Sequence, residues 1–68
     1  MDKLKKYVDD KFDYYSEFSC SEVEHCTLDE FDSDIIEYLT LNERFDYRGI
    51  CIYLVEEENE IWIENMDA

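Results

Sequence analysis

The side chains with the most reactive chemistry are three cysteines and one histidine: Cys20, His25, Cys26 and Cys51. Together they make a formal Cys₃His set, a donor composition found in structural zinc sites. Such sites are usually built from tight pairs like Cys-x-x-Cys. Here Cys20 stands too far from Cys26, and His25 adjoins Cys26. The spacing therefore predicts small buried thiols and a surface histidine, with no metal. Asp32-Ser33-Asp34 matches the start of an EF-hand loop, but the required glycine and distal Glu are missing. Cys26 or Cys51 with His25 would pair a nucleophile with a base, yet no third group orients them. No two carboxylates are marked out by environments that would separate their pKa values. A chain of 68 residues also has little room for a small-molecule pocket. No catalytic residue, cofactor or metal ligand is expected, and the chain reads as a non-enzyme.

What remains is the carboxylates. Twenty Asp and Glu against six Lys and Arg give a formal net charge of −14. Residues 12–43 carry Asp13, Glu17, Glu22, Glu24, Asp29, Glu30, Asp32, Asp34, Glu37 and Glu43 with no Lys or Arg. From Gly49 onward there are Glu56, Glu57, Glu58, Glu60, Glu64 and Asp67, again with no base. Lysines are confined to the N-terminal segment, and Arg44 and Arg48 bracket Asp46. Direct binding to nucleic acid is excluded on this balance, because phosphate recognition relies on Lys and Arg. Anionic membranes are disfavoured for the same reason. Self-repulsion of this size destabilises the compact state, and solubility alone needs a net charge of only about 2 to 8. A functional anionic surface is the better reading. Carboxylates on one helix face lie about 5 to 6 Å apart at Cβ, and alternate strand residues about 6.6 to 6.8 Å. A DNA strand advances about 3.4 Å per phosphate along its axis. Asp29, Glu30, Asp34 and Glu37 form one candidate row, and Glu56, Glu57, Glu58 and Glu60 a second.

The elements that position these rows follow from periodicity. Residues 3–18 read as a helix: Leu4, Tyr7, Val8, Phe12, Tyr14, Tyr15 and Phe18 share one arc, and Asp2 suits the N-cap. Residues 19–27 have no clear period and read as irregular. Thr27 and Glu30 have capping-box spacing and predict a second helix over 28–41, with Leu28, Phe31, Ile35, Tyr38 and Leu39 on its inner face. Residues 49–55 and 61–63 are β-branched and aromatic, separated by Glu57-Glu58-Asn59, which predicts a hairpin. A loop centred on Glu58-Asn59 pairs Leu54 with Ile63 and gathers Ile50, Ile52, Leu54, Ile61 and Ile63 on one face. Cys51, Tyr53, Val55 and Trp62 then take the other. Tyr53 and Trp62 would point outward as binding anchors, and Phe45 and Tyr47 suit a third strand.

Proline is absent and Gly49 is the lone glycine, so residues 1–68 read as one compact acidic domain. Its expected class is α+β, two helices on one face of a two- or three-stranded antiparallel sheet. No apolar run approaches the roughly 18 residues of a membrane span, and the N-terminus lacks the form of a signal peptide. With an odd number of cysteines, this predicts a cytoplasmic protein with reduced thiols.

In size, acidity and lack of a catalytic signature, the whole chain resembles the small inhibitors that bacteriophages encode against nucleic-acid enzymes. Those include DNA-mimicking anti-restriction and anti-CRISPR proteins. The resemblance rests on composition and transfers no functional positions. It implies a partner with a basic nucleic-acid channel, in which Asp and Glu stand in for phosphates. The alternatives are an immunity protein or antitoxin capping one basic toxin, and an acidic adaptor.

Overall fold

A computed structural model describes residues 1–67. Helix α1 (Asp2–Ser16) is followed by strand β1 (Val23–Thr27), a 3₁₀ turn (Leu28–Glu30) and helix α2 (Ser33–Asn42). Strands β2 (Arg44–Tyr47) and β3 (Ile50–Val55), a second 3₁₀ turn (Glu56–Glu58) and β4 (Glu60–Asn65) complete the chain. The strands form one antiparallel sheet in the order β1-β4-β3-β2, with both helices against it. The class is α+β, as the sequence predicts, but the sheet has four strands.

The fourth strand is the segment expected to be irregular. Of its residues only Cys26 is buried, so apolar alternation gives no signal. Its strand conformation comes from pairing with β4, in register Glu24↔Ile63, His25↔Trp62 and Cys26↔Ile61. This is tertiary context overriding a weak local preference.

Helix α1 buries Leu4, Val8 and Tyr15 on one stripe, each worth about 1.5 to 3 kcal/mol. It starts one residue earlier than expected, with Met1 rather than Asp2 as the N-cap, and stops at Ser16. Phe18 folds back instead, its ring 5.2 Å from Tyr14 and 5.4 Å from Tyr15. Tyr14, expected on the inner arc, is 55% exposed.

The predicted second helix is divided. The Thr27–Glu30 box forms, with the Thr27 N–H donating to Glu30 Oε2 at 2.7 Å, but it caps only the 3₁₀ turn. Phe31 then adopts extended backbone (φ −126°, ψ 150°) and turns inward. Asp32 serves as a second N-cap, from which α2 runs with Ile35 and Leu39 buried. Asp is among the preferred residues at that position, but here its carboxylate accepts from Lys3 and makes no capping bond.

The β2–β3 hairpin turns on Arg48 and Gly49, both at positive φ (53° and 78°). That is the type I′ combination matching sheet twist. The β3–β4 hairpin has a four-residue loop, with Val55 opposite Glu60 and Asn59 in the left-handed region. Leu54 consequently faces Ile61, and Ile63 faces Ile52. The register is two residues from the expected one. Because the shift is even, the same five apolar residues still share the core face. Ile52, Ile61 and Ile63 are wholly buried there with Leu4 and Val8.

Candidate partner-binding surface

Strand alternation divides the side chains of the sheet. The helices cover the face bearing Cys26, Ile61, Ile63, Ile52 and Phe45. No helix covers the other. Across it run His25, Trp62, Tyr53 and Arg44, each directly opposite the next on β1, β4, β3 and β2. The His25 and Trp62 rings stack with centroids 4.4 Å apart and planes 6° from parallel. Tyr53 meets Trp62 edge-on at 6.1 Å. On one side of this row Glu60 accepts a bond from Trp62 Nε1 at 3.0 Å and lies 3.6 Å from His25 Nδ1. On the other side Glu64 stands opposite Cys51 and within 3.5 Å of the Tyr53 hydroxyl. Tyr53 and Trp62 therefore occupy the face expected of them. His25 and Arg44 join them only through strand pairings that sequence spacing does not reveal.

The two acidic rows are rearranged. Asp29 and Glu30 lie in the 3₁₀ turn, so they share no helix face with Asp34 and Glu37; the break at Phe31 divides that row. Glu30 and Asp29 fold onto Thr27. Asp34, with Asp32, is tied to Lys3 at 3.0 and 3.1 Å. Glu37 is exposed on α2 by itself. The topology then supplies a cluster that the sequence does not suggest. Thr27, Glu60 and Val55 end the sheet on one side, and both 3₁₀ turns leave from that end. Asp29 and Glu30 thus leave the sheet from the same end as Glu56, Glu57 and Glu58, the end that Glu60 closes.

All six basic side chains are engaged, none of them by a salt bridge to these six carboxylates among the described residues. Lys3, Lys6, Arg44 and Arg48 pair with carboxylates, Arg48 reaching Asp9 at 2.9 Å while lying 3.8 Å above the Phe12 ring. Lys5 and Lys11 lie over the rings of Tyr47 and Tyr7. None belongs to β1, β4 or either 3₁₀ turn. Exposed pairs of this kind contribute little to stability. Their placement leaves β1, β4 and both 3₁₀ turns without a Lys or Arg.

The formal Cys₃His set is dispersed. Cys26 points into the core, His25 and Cys51 lie on the opposite face, and Cys20 is exposed before β1. Among the described residues no group of three His, Cys, Asp or Glu is placed to hold a metal ion. Burial pushes the Cys26 thiol up to about 11, and burial with the facing Asp46 carboxylate pushes Cys51 up to about 12. Both are poor nucleophiles at neutral pH. Among the described residues no helix is long and apolar enough to cross a membrane.

Comparisons with protein-family models, curated proteins and solved structures give no match to this chain.

Proposed function

We propose that the chain is a small cytoplasmic inhibitor of phage type that docks into the basic nucleic-acid channel of a defence or nucleic-acid-processing enzyme. Its carboxylates take the place of phosphates, in the manner of anti-restriction and anti-CRISPR DNA mimics, and it catalyses nothing. The observation that carries this reading is that Asp29, Glu30, Glu56, Glu57, Glu58 and Glu60 all lie at or beyond one end of the sheet, where Arg44 on β2 is already paired with Asp46. Arginine and lysine on the target would pair with these groups by charge-assisted hydrogen bonds. Long-range attraction would speed association, and burial of Trp62 and Tyr53 would slow release.

The test is capture from a bacterial lysate by the immobilised protein at low and at high salt. Recovery of one nucleic-acid enzyme that added DNA displaces supports mimicry. Basic proteins that stick indiscriminately at low salt and vanish at high salt sink it.

The His25–Trp62–Tyr53 row favours a second reading, an immunity protein or antitoxin dedicated to one basic toxin. A stacked aromatic anchor owes nothing to phosphate spacing. Salt-resistant capture of one partner that DNA does not displace would select this alternative.

A further inference from the structure

Strand β1 is an edge of the sheet, and it carries a charge on its inner side. Glu24 lies opposite the wholly buried Ile63, so its carboxylate points toward the helix-covered face. Its Oε2 is the one buried side-chain polar atom without a hydrogen-bond partner among the described residues. Beside it, between α1 and β1, opens a groove of about 630 Å³ lined by Tyr14, Glu17, Phe18, Glu22, Val23 and Glu24. An adjoining hollow shares Tyr14 and Glu24 and brings in Lys11, whose ammonium is occupied above the Tyr7 ring at 4.8 Å. The nearby Tyr15 hydroxyl stays neutral, its pKa raised first by burial and then by Glu24.

An inward charge on an edge strand normally prevents another strand from adding there. It prevents self-pairing most strongly, because two copies would bring Glu22 and Glu24 of one against those of the other. The same charge favours a strand that brings a cation. We propose that a basic extended segment of a partner protein adds to β1 as a fifth strand. Backbone hydrogen bonds along the edge would supply affinity, and side-chain pockets specificity. Its Arg or Lys would enter the α1–β1 groove, approach the Glu24 carboxylate that lines it and lie against the exposed Tyr14 ring. This edge is separate from the acidic sheet end, and the proposal holds whether or not the partner binds nucleic acid.

The probe is a synthetic, acetylated and amidated Thr-Arg-Val-Arg-Val-Thr peptide, titrated into the ¹⁵N-labelled full chain and followed by NMR. Shift changes should centre on the amides of Val23–Thr27. Glu24→Gln, which keeps the shape, should weaken binding by about tenfold or more, and Tyr14→Ala should weaken it as well. Glu37→Gln, a charge loss on α2 away from this edge, should leave the affinity unchanged. A peptide N-methylated at alternate residues should not bind. The proposal is overturned if shifts centre on residues 56–60, if Glu24→Gln binds equally well, or if the N-methylated peptide competes. Absence of binding at millimolar peptide overturns it too. So does line broadening at β1 that grows with protein concentration alone, since the occupant would then be a second copy.

Discussion

The Trp62 indole lies flat on the His25 imidazole, 4.4 Å between centroids and 6° from parallel. The two residues sit on adjacent strands on the sheet face opposite the helices, and Glu60 touches both at the border of the acidic sheet end. Packing and charge therefore meet at one spot on an uncovered face.

If that spot is the anchor, Trp62→Ala should cost about 2 kcal/mol of partner affinity, or roughly thirtyfold. The complex should dissociate faster while its association rate stays nearly constant. The fold should survive, because the ring is only half-buried outside the core. Surface plasmon resonance against the captured partner reads both rates, and an unchanged off-rate would remove the aromatic row from the interface.

Reversing Glu56, Glu57 and Glu58 to Lys should act on the other rate. Association should slow and lose its salt dependence, since rim charges steer encounter. Reversing Glu37 alone should have little effect, because it stands apart on α2.

The buried thiols, together with Tyr15, whose hydroxyl burial also holds neutral, contribute to stability that alkali removes. The folded pKa values of Cys26 and Cys51, about 11 and about 12, lie above the ordinary thiol value. Their contribution is complete below about pH 8.5 and is lost as pH rises through 11 to 12. Thermal unfolding followed by circular dichroism should show the melting temperature falling across that window. At neutral pH a thiol reagent should modify exposed Cys20 at once and spare the two buried cysteines.

Crowding of like charge predicts that added salt stabilises the fold. Each kcal/mol of repulsion relieved raises the melting temperature by roughly 4 to 8 °C in a domain of this size. A flat melting temperature between 10 and about 300 mM NaCl, where screening lengths shrink from about 30 Å to below 8 Å, would mean that the ion pairs already balance the surface.

Core substitutions provide the reference. Ile52→Ala, at a wholly buried site between β2 and β4, should cost about 2 to 5 kcal/mol. Leu41→Ala should stay within about 0.5 kcal/mol, since Leu41 is 74% exposed. Chemical denaturation of the two variants separates them.

Much of this architecture is legible in the residues themselves. The apolar stripe of α1 and the alternation in β3 and β4 state their inner faces directly, and Tyr53 and Trp62 follow by parity. The strand at Val23–Thr27 is not legible, because Glu24 occupies an inward position where a hydrophobe would announce a strand. The Phe31 break is hidden for a different reason. Two residues suited to capping, Thr27 and Asp32, lie five apart, and Phe31 would face inward on one continuous helix as well, so its spacing does not reveal the break. The acidic cluster depends on which chain ends meet at one sheet edge, a fact of topology that no local spacing encodes.

The sheet order also constrains how the chain acquires its shape. Strand β4, the final strand, lies between β1 and β3, so β1 has nothing to pair with until residues 60–65 have left the ribosome. The stacked His25–Trp62 pair therefore closes only once β4 has been made. Whatever the aromatic row recognises, it cannot be recognised before synthesis of this segment is complete.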